Sequence, residues 1–154
     1  MRSGWTKVSM AAIALLAACG GQADPNCDGV NTAIVTTYSS DPGCTSPVGV
    51  CTTGTVSSGD LAGTTWFTAL TLNPGPSPDL HLYTGDLVIT TASGTVTLRD
   101  SGMLNSATGY FFEVQQVVSA TGAQMGSSGM LISEGLATST GFQGSLSGSL
   151  CLMQ

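Results

Sequence analysis

Positive charge is nearly missing from this chain. Its 154 residues include three Lys or Arg against nine Asp or Glu. Two of the three, Arg2 and Lys7, stand at the N-terminus, and the third is Arg99. So acidic a surface repels phosphate backbones, which excludes nucleic acid as a partner. Histidine is represented by His81 alone. A Ser-His-Asp site would have only that base, and no Gly-x-Ser-x-Gly elbow accompanies it, so His81 reads as a surface or barrel-wall residue beside Tyr83. No Cys-x-x-Cys pair occurs, which argues against zinc. The run Asp24, Asn26, Asp28, Gly29 starts like a calcium loop, but its twelfth position is Val35 instead of a bidentate Glu. It reads as an Asx-rich turn. No metal and no cofactor are expected. Helical periodicity is absent after residue 19, and no apolar run reaches the ~20 residues of a membrane-spanning helix.

What is present begins with "MRSGWTKVSMAAIALLAA", residues 1–18. A basic start, the apolar stretch Val8 to Ala18 and small residues at its end make a secretory signal. It runs into Leu16-Ala17-Ala18-Cys19-Gly20-Gly21, which resembles the lipobox of bacterial lipoproteins. That resemblance implies cleavage before Cys19 and acylation of Cys19, with enough acyl chains for stable membrane anchoring. Gly20 following the cysteine is compatible with the outer membrane. Removal of residues 1–18 leaves one basic residue against nine acids, a formal charge of −8. The expected organisation is a signal peptide over 1–18, a lipidated tether and disulfide-bearing arm over 19–46, and one domain over 47–154. Cys27, Cys44, Cys51 and Cys151 remain for disulfides in an oxidising compartment, and four cysteines allow three pairings.

Few charges and many Gly, Ser and Thr suggest disorder, but aliphatic and aromatic residues recur in short alternating runs. Seven strands are expected, eight if the stretch around Ala33–Ser39 is one. They recur with Gly, Ser and Asn at the joints, the rhythm of an all-β sandwich or closed barrel. Register follows from the rule that side chains alternate across a strand. With Ala92-Ser93 as a two-residue turn, Ile89 faces Val96 and Leu87 faces Leu98 on an apolar face. The other face then pairs Val88 with Thr97 and Asp86 with Arg99. A next turn near Asn105–Ala107 pairs Leu98 with Val114 and Asp100 with Phe112, which sets Arg99 opposite Glu113. The expectation is an outward ladder, Asp86–Arg99–Glu113, and an interior containing Leu87, Ile89, Leu98, Phe112 and Val114. Trp66, Leu70 and Leu72 share one face of their strand, and Phe67 and Ala69 the other.

The stretch "VVSATGAQMGSSGMLISEG", with Ala120-Thr121-Gly122 and Gly126-Ser127-Ser128-Gly129, resembles the Gly-rich turns of allene oxide cyclase-like and dirigent-like barrels. "LYTGDLVITTASGTVTLRDSG" and "FQGSLSGSLCL" strengthen the likeness, which spans about Val48 to Leu152. The resemblance implies an antiparallel closed barrel of about eight strands (calycin-like), a homotrimer, and an interior for a hydrophobic small molecule. It transfers no catalytic residue. Because first and last strands meet in a closed barrel, it also implies Cys51–Cys151 and hence Cys27–Cys44. Two functions remain open. One is a non-enzymatic envelope lipoprotein that binds a hydrophobic small molecule or a partner, or serves structurally. The other is a cyclase- or isomerase-like enzyme acting on an apolar substrate. The scarcity of acid–base groups favours the first.

Overall fold

A computed structural model describes residues 26–151. The signal peptide and Cys19 lie outside those residues. The chain forms eight strands: β1 (Cys27–Tyr38), β2 (Cys51–Val56), β3 (Gly63–Pro74), β4 (Leu80–Thr91), β5 (Gly94–Asn105), β6 (Tyr110–Ala120), β7 (Ser128–Ala137) and β8 (Gly141–Cys151). Each pairs antiparallel with its sequence neighbours, and β1 pairs with β8 to close a barrel. Closure leaves no open sheet edge, so Thr- and Val-rich strands have nowhere to template aggregation.

The eighth strand left open for the stretch around Ala33–Ser39 is present, and it is the first of the barrel. Residues 27–38, assigned above to tether and arm, are a full barrel strand pairing with β2 and β8. The disulfides change accordingly. Cys27 lies opposite Cys151 in the β1–β8 ladder and is bonded to it, and Cys44 is bonded to Cys51. Cys51–Cys151 and Cys27–Cys44 do not form. The premise that first and last strands meet holds, but the first strand starts at Cys27.

The β4–β5 hairpin has the expected register around Ala92–Ser93, with Leu87 opposite Leu98, Ile89 opposite Val96 and Asp86 opposite Arg99. The next hairpin does not. Leu98 pairs with Val117, Arg99 with Gln116 and Asp100 with Gln115. The connection is a four-residue loop, Ser106 to Gly109, longer than the turn expected at Asn105–Ala107. The Asn105 side chain accepts hydrogen bonds from the Ala107 and Thr108 amides. Gly109 closes the loop at φ +76°, where a residue with a Cβ is disfavoured. The resulting shift of three residues is odd, so β6 presents its opposite face to the interior. Phe111, Glu113, Gln115 and Val117 point in, while Val114 is on the outer wall and exposed and Phe112 is half-buried there.

One end of the barrel is filled. Ile34, Val56, Leu61, Leu87, Ile89, Val96, Leu98, Leu131, Leu146 and Leu150 pack as a single core. A 3-10 turn, Gly122–Gln124, lies across that end, and the Gln124 amide reaches Ser93 Oγ at 3.4 Å. The Gly-rich turn noted above therefore builds this plug. Cys27 and Cys151 lie towards the same end, beside Ser128.

Candidate functional site

The opposite end is open inside, and its geometry can be followed strand by strand. Two adjacent layers of inward-facing residues cross β4, β5, β6 and β7. One contains Tyr83, Gly102, Glu113 and Ser133, and the other Gly85, Asp100, Gln115 and Leu131. The glycines make room for rings. A Cβ on Gly102 would lie 2.7 Å from the Tyr83 ring and 2.9 Å from Glu113 Cγ, and one on Gly85 would lie 2.3 Å from the Phe67 ring. With no side chain at Gly102, the Tyr83 hydroxyl reaches across β5 and donates to Glu113 Oε1 at 2.7 Å. The Gln115 amide donates to Glu113 Oε2 and to Asp100 Oδ2, both at 3.1 Å.

Tyr83, Asp100, Glu113 and Ser133 form part of the wall of a cavity of about 160 Å³. Apart from Thr36 and Thr52, the rest of its lining is aliphatic or aromatic, including Ile34, Ala69, Leu72 and Leu87, with the rings of Tyr38, Phe67, Tyr83, Phe111 and Phe142. The chain has four Phe and three Tyr, so five of these seven rings face one cavity. Phe142 packs edge-on with both Tyr38 and Phe111, at 5.5 Å between ring centres in each case. Leu72 reaches the mouth because a bulge between Ala69 and Thr71 breaks the alternation of β3. Without the bulge it would share the outer face of Trp66, as the sequence pattern had it.

A strap, residues 39–50, crosses beside the mouth and contributes Val48 and Val50. It is tied down at two points. The Cys44–Cys51 disulfide fixes it to β2, and the Ser46 hydroxyl donates to the Ala69 carbonyl of β3 at 2.6 Å while accepting from the Val50 amide.

Burial shifts the ionisation of these polar groups upward. Asp100 is 0 % exposed. Burial first, then the nearby Glu113 carboxyl, pushes its pKa well up against the opposing hydrogen bond from Gln115. Glu113 is also raised by burial, and bonds from Tyr83, Ser133 and Gln115 hold that rise back. Tyr83 is raised by burial and by Glu113. Two buried polar atoms of the network, Asp100 Oδ1 and Gln115 Oε1, have no hydrogen-bond partner. Gln115 Oε1 is an acceptor, and Asp100 Oδ1 is one whenever the carboxyl is ionised, so the ionised cluster lacks a donor.

The expected constellation is therefore split. Arg99 and Asp86 form an ion pair on the outer wall, with the Arg99 side chain 54 % exposed, and the Arg99 amino group also reaches Asp86 Oδ2 at 3.3 Å. Glu113 is not part of that pair, because the register turns it inward. Of the expected interior residues, Leu87, Ile89 and Leu98 are buried, and Leu87 lines the cavity floor. Phe112 and Val114 are corrections: they face outward for the reason given above. Asp28 and Gly29 belong to β1. Tyr83, Asp100, Gln115 and Ser133 were missed as site residues, and the signal that would have found them is Gly109, which sets the loop length. Among the described residues, no group of His, Cys, Asp and Glu is arranged to hold a metal ion. No protein-family model, curated protein sequence or solved structure matches the chain.

Proposed function

We propose that this protein binds a hydrophobic small molecule in the open end of its barrel and does so without catalysis. The observation that carries the reading is the cavity of about 160 Å³ under the strap, with its aromatic and aliphatic lining. A dry apolar cavity of about 150 Å³ is large enough to hold benzene. A longer ligand would enter with one end and leave the remainder at the mouth. The lipobox-like sequence at Cys19 supports a lipid anchor in the cell envelope, and Gly20 is compatible with the outer membrane. The described residues start beside the filled end of the barrel, which supports a mouth that faces away from a membrane anchor at Cys19. Self-association as a homotrimer, implied by the likeness to allene oxide cyclase-like and dirigent-like barrels, finds support in the adjacent exposed Val114 and Ile132 of β6 and β7. Sedimentation of the lipid-free chain at one-third of the trimer mass would refute it.

The test of the binding reading is native mass spectrometry of the protein from its own host, with NMR titration of toluene into the lipid-free chain. A co-purifying small molecule and saturable shifts at Phe67, Phe111 and Phe142 are expected. Ala69→Leu, which fills the cavity from β3, should remove both. A barrel that arrives empty and ignores toluene overturns the reading.

One observation favours a second reading, an enzyme acting on an apolar substrate. A carboxyl kept protonated inside an apolar cavity, as burial favours for Asp100, is a proton donor in waiting. If that reading is right, Asp100→Asn abolishes turnover of the co-purifying molecule and leaves its binding intact.

A further inference from the structure

Taking the cavity as a ligand site, the reading on which this step rests, we infer that its ligand is a small apolar amine bound as its cation, the ammonium set against Asp100 and the apolar part among the aromatic rings. Three observations converge. The first is the unfilled acceptor. Asp100 lines the cavity, is fully buried, and accepts from Gln115 through Oδ2 only, leaving Oδ1 without a partner. Once Asp100 ionises, that oxygen is a buried acceptor without a donor, which is costly, and an N–H from a ligand satisfies it. Glu113, by contrast, already receives Tyr83 and Gln115 on its two oxygens.

The second is charge. Arg99 is the only Lys or Arg among the described residues, and it points outward to Asp86. His81 does not line the cavity. A ligand carboxylate or phosphate would meet two carboxyls and no cation. An ammonium meets the opposite arrangement. The third is the rings. Five of the seven Phe and Tyr side chains surround this cavity, and the face of an aromatic ring attracts a cation, more strongly when the site excludes water.

Binding is then linked to protons. The titratable and charged groups around Asp100 are Glu113 from β6, Tyr83 from β4 and Tyr38 from β1, with Asp86 and Arg99 on the outer side of the wall. Below its raised pKa, Asp100 keeps its proton in the empty barrel. When the ammonium enters, Asp100 ionises and one proton leaves to solvent, so a single positive charge replaces another. Below the pKa of Asp100, the association constant therefore rises about tenfold per pH unit.

The test uses the lipid-free, disulfide-bonded chain and three probes of equal ring size: benzylamine, benzyl alcohol and benzoate, followed by NMR titration between pH 5 and 7. Benzylamine should bind about tenfold or more tighter than benzyl alcohol at pH 7, with benzoate not binding and the benzylamine constant climbing with pH. Asp100→Asn should remove both the amine preference and the pH slope while benzyl alcohol binding persists. Glu113→Gln, should Asp100→Asn fail to fold, must flatten the slope in part and keep the alcohol bound. Equal affinity for alcohol and amine, or an amine preference that survives Asp100→Asn, overturns the inference and leaves the hydrophobic site standing. If neither these probes nor toluene bind, the site itself is refuted.

Discussion

Asp100 should make the protein less stable as pH rises from acid toward neutral, the reverse of ordinary acid denaturation. Its carboxyl is fully buried, faces the Glu113 carboxyl and accepts one hydrogen bond. In the unfolded chain it ionises near the ordinary Asp value of about 3.9. In the folded protein its pKa lies well above that value. Between the two, the folded state holds a proton that the unfolded state has released, so unfolding stability falls with increasing pH. The slope for one such group is at most about 1.4 kcal/mol per pH unit, and the fall ends once pH passes the folded-state pKa. Glu113 acts in the same direction, moderated by its bonds from Tyr83, Ser133 and Gln115. Asp100→Asn removes this term at nearly constant volume and supplies an N–H where the ionised carboxylate offers only acceptors. The variant should therefore gain on the wild type steadily above pH 4, by up to about 1.4 kcal/mol per pH unit. Urea unfolding of both proteins at pH 4, 5, 6 and 7 measures the difference, in which acids common to both cancel. Two curves that stay parallel across that range would show that Asp100 ionises normally and that the cavity carboxyl is not what its burial implies.

The disulfides should differ in worth. Chain-entropy reasoning with sequence separations of 124 and 7 gives about 5 kcal/mol for Cys27–Cys151 and about 2–3 kcal/mol for Cys44–Cys51. Urea midpoints of the paired Cys→Ser variants check the order, and a costlier loss of the short loop would contradict it. Gly102→Ala places a Cβ against Tyr83 and Glu113. It should cost about 1–3 kcal/mol by overpacking and weaken benzyl alcohol binding, whereas unchanged stability and binding would mean that the two rows of side chains are not so tightly apposed. Arg99→Gln, on the outer wall, should leave both the thermal midpoint and probe binding unchanged; a loss of binding would return the cation to the site.

The legible part of the fold was the part where two constraints agreed. In the β4–β5 hairpin a two-residue turn and a continuous apolar face demand the same register, and the structure has it. β1 gave no such agreement. Its inward residues include Thr32, Ile34 and Thr36, while Val35 faces out at 49 % exposure. A strand with threonines among its core-side residues and a valine on its outer side is poorly told from an ordered arm by alternation. The disulfide error followed from it, since pairing first strand to last depends on knowing which strand is first. For β5–β6, Phe112 and Val114 offered a face as apolar as that of Phe111 and Val117. Hydrophobic pattern was indifferent, and the loop settled the matter through Asn105 and Gly109.

That indifference explains why the site was hidden. One odd shift exchanges Val114 for Glu113 on the inner wall and brings Gln115 beside Asp100. The alternative register would have put Glu113 next to Arg99, a comfortable surface pair. The chain instead keeps its cation outside and two carboxyls inside, with no second Lys or Arg among the described residues to neutralise them. A buried carboxylate without a cation is expensive, so a protein in this position has two ways to keep it: hold a proton on it, or admit a cation from outside. The near absence of positive charge closes the third way, an internal ion pair. Scarcity of Lys and Arg is thus the condition that leaves Asp100 available, and the same scarcity makes a cationic visitor the partner that the cavity lacks.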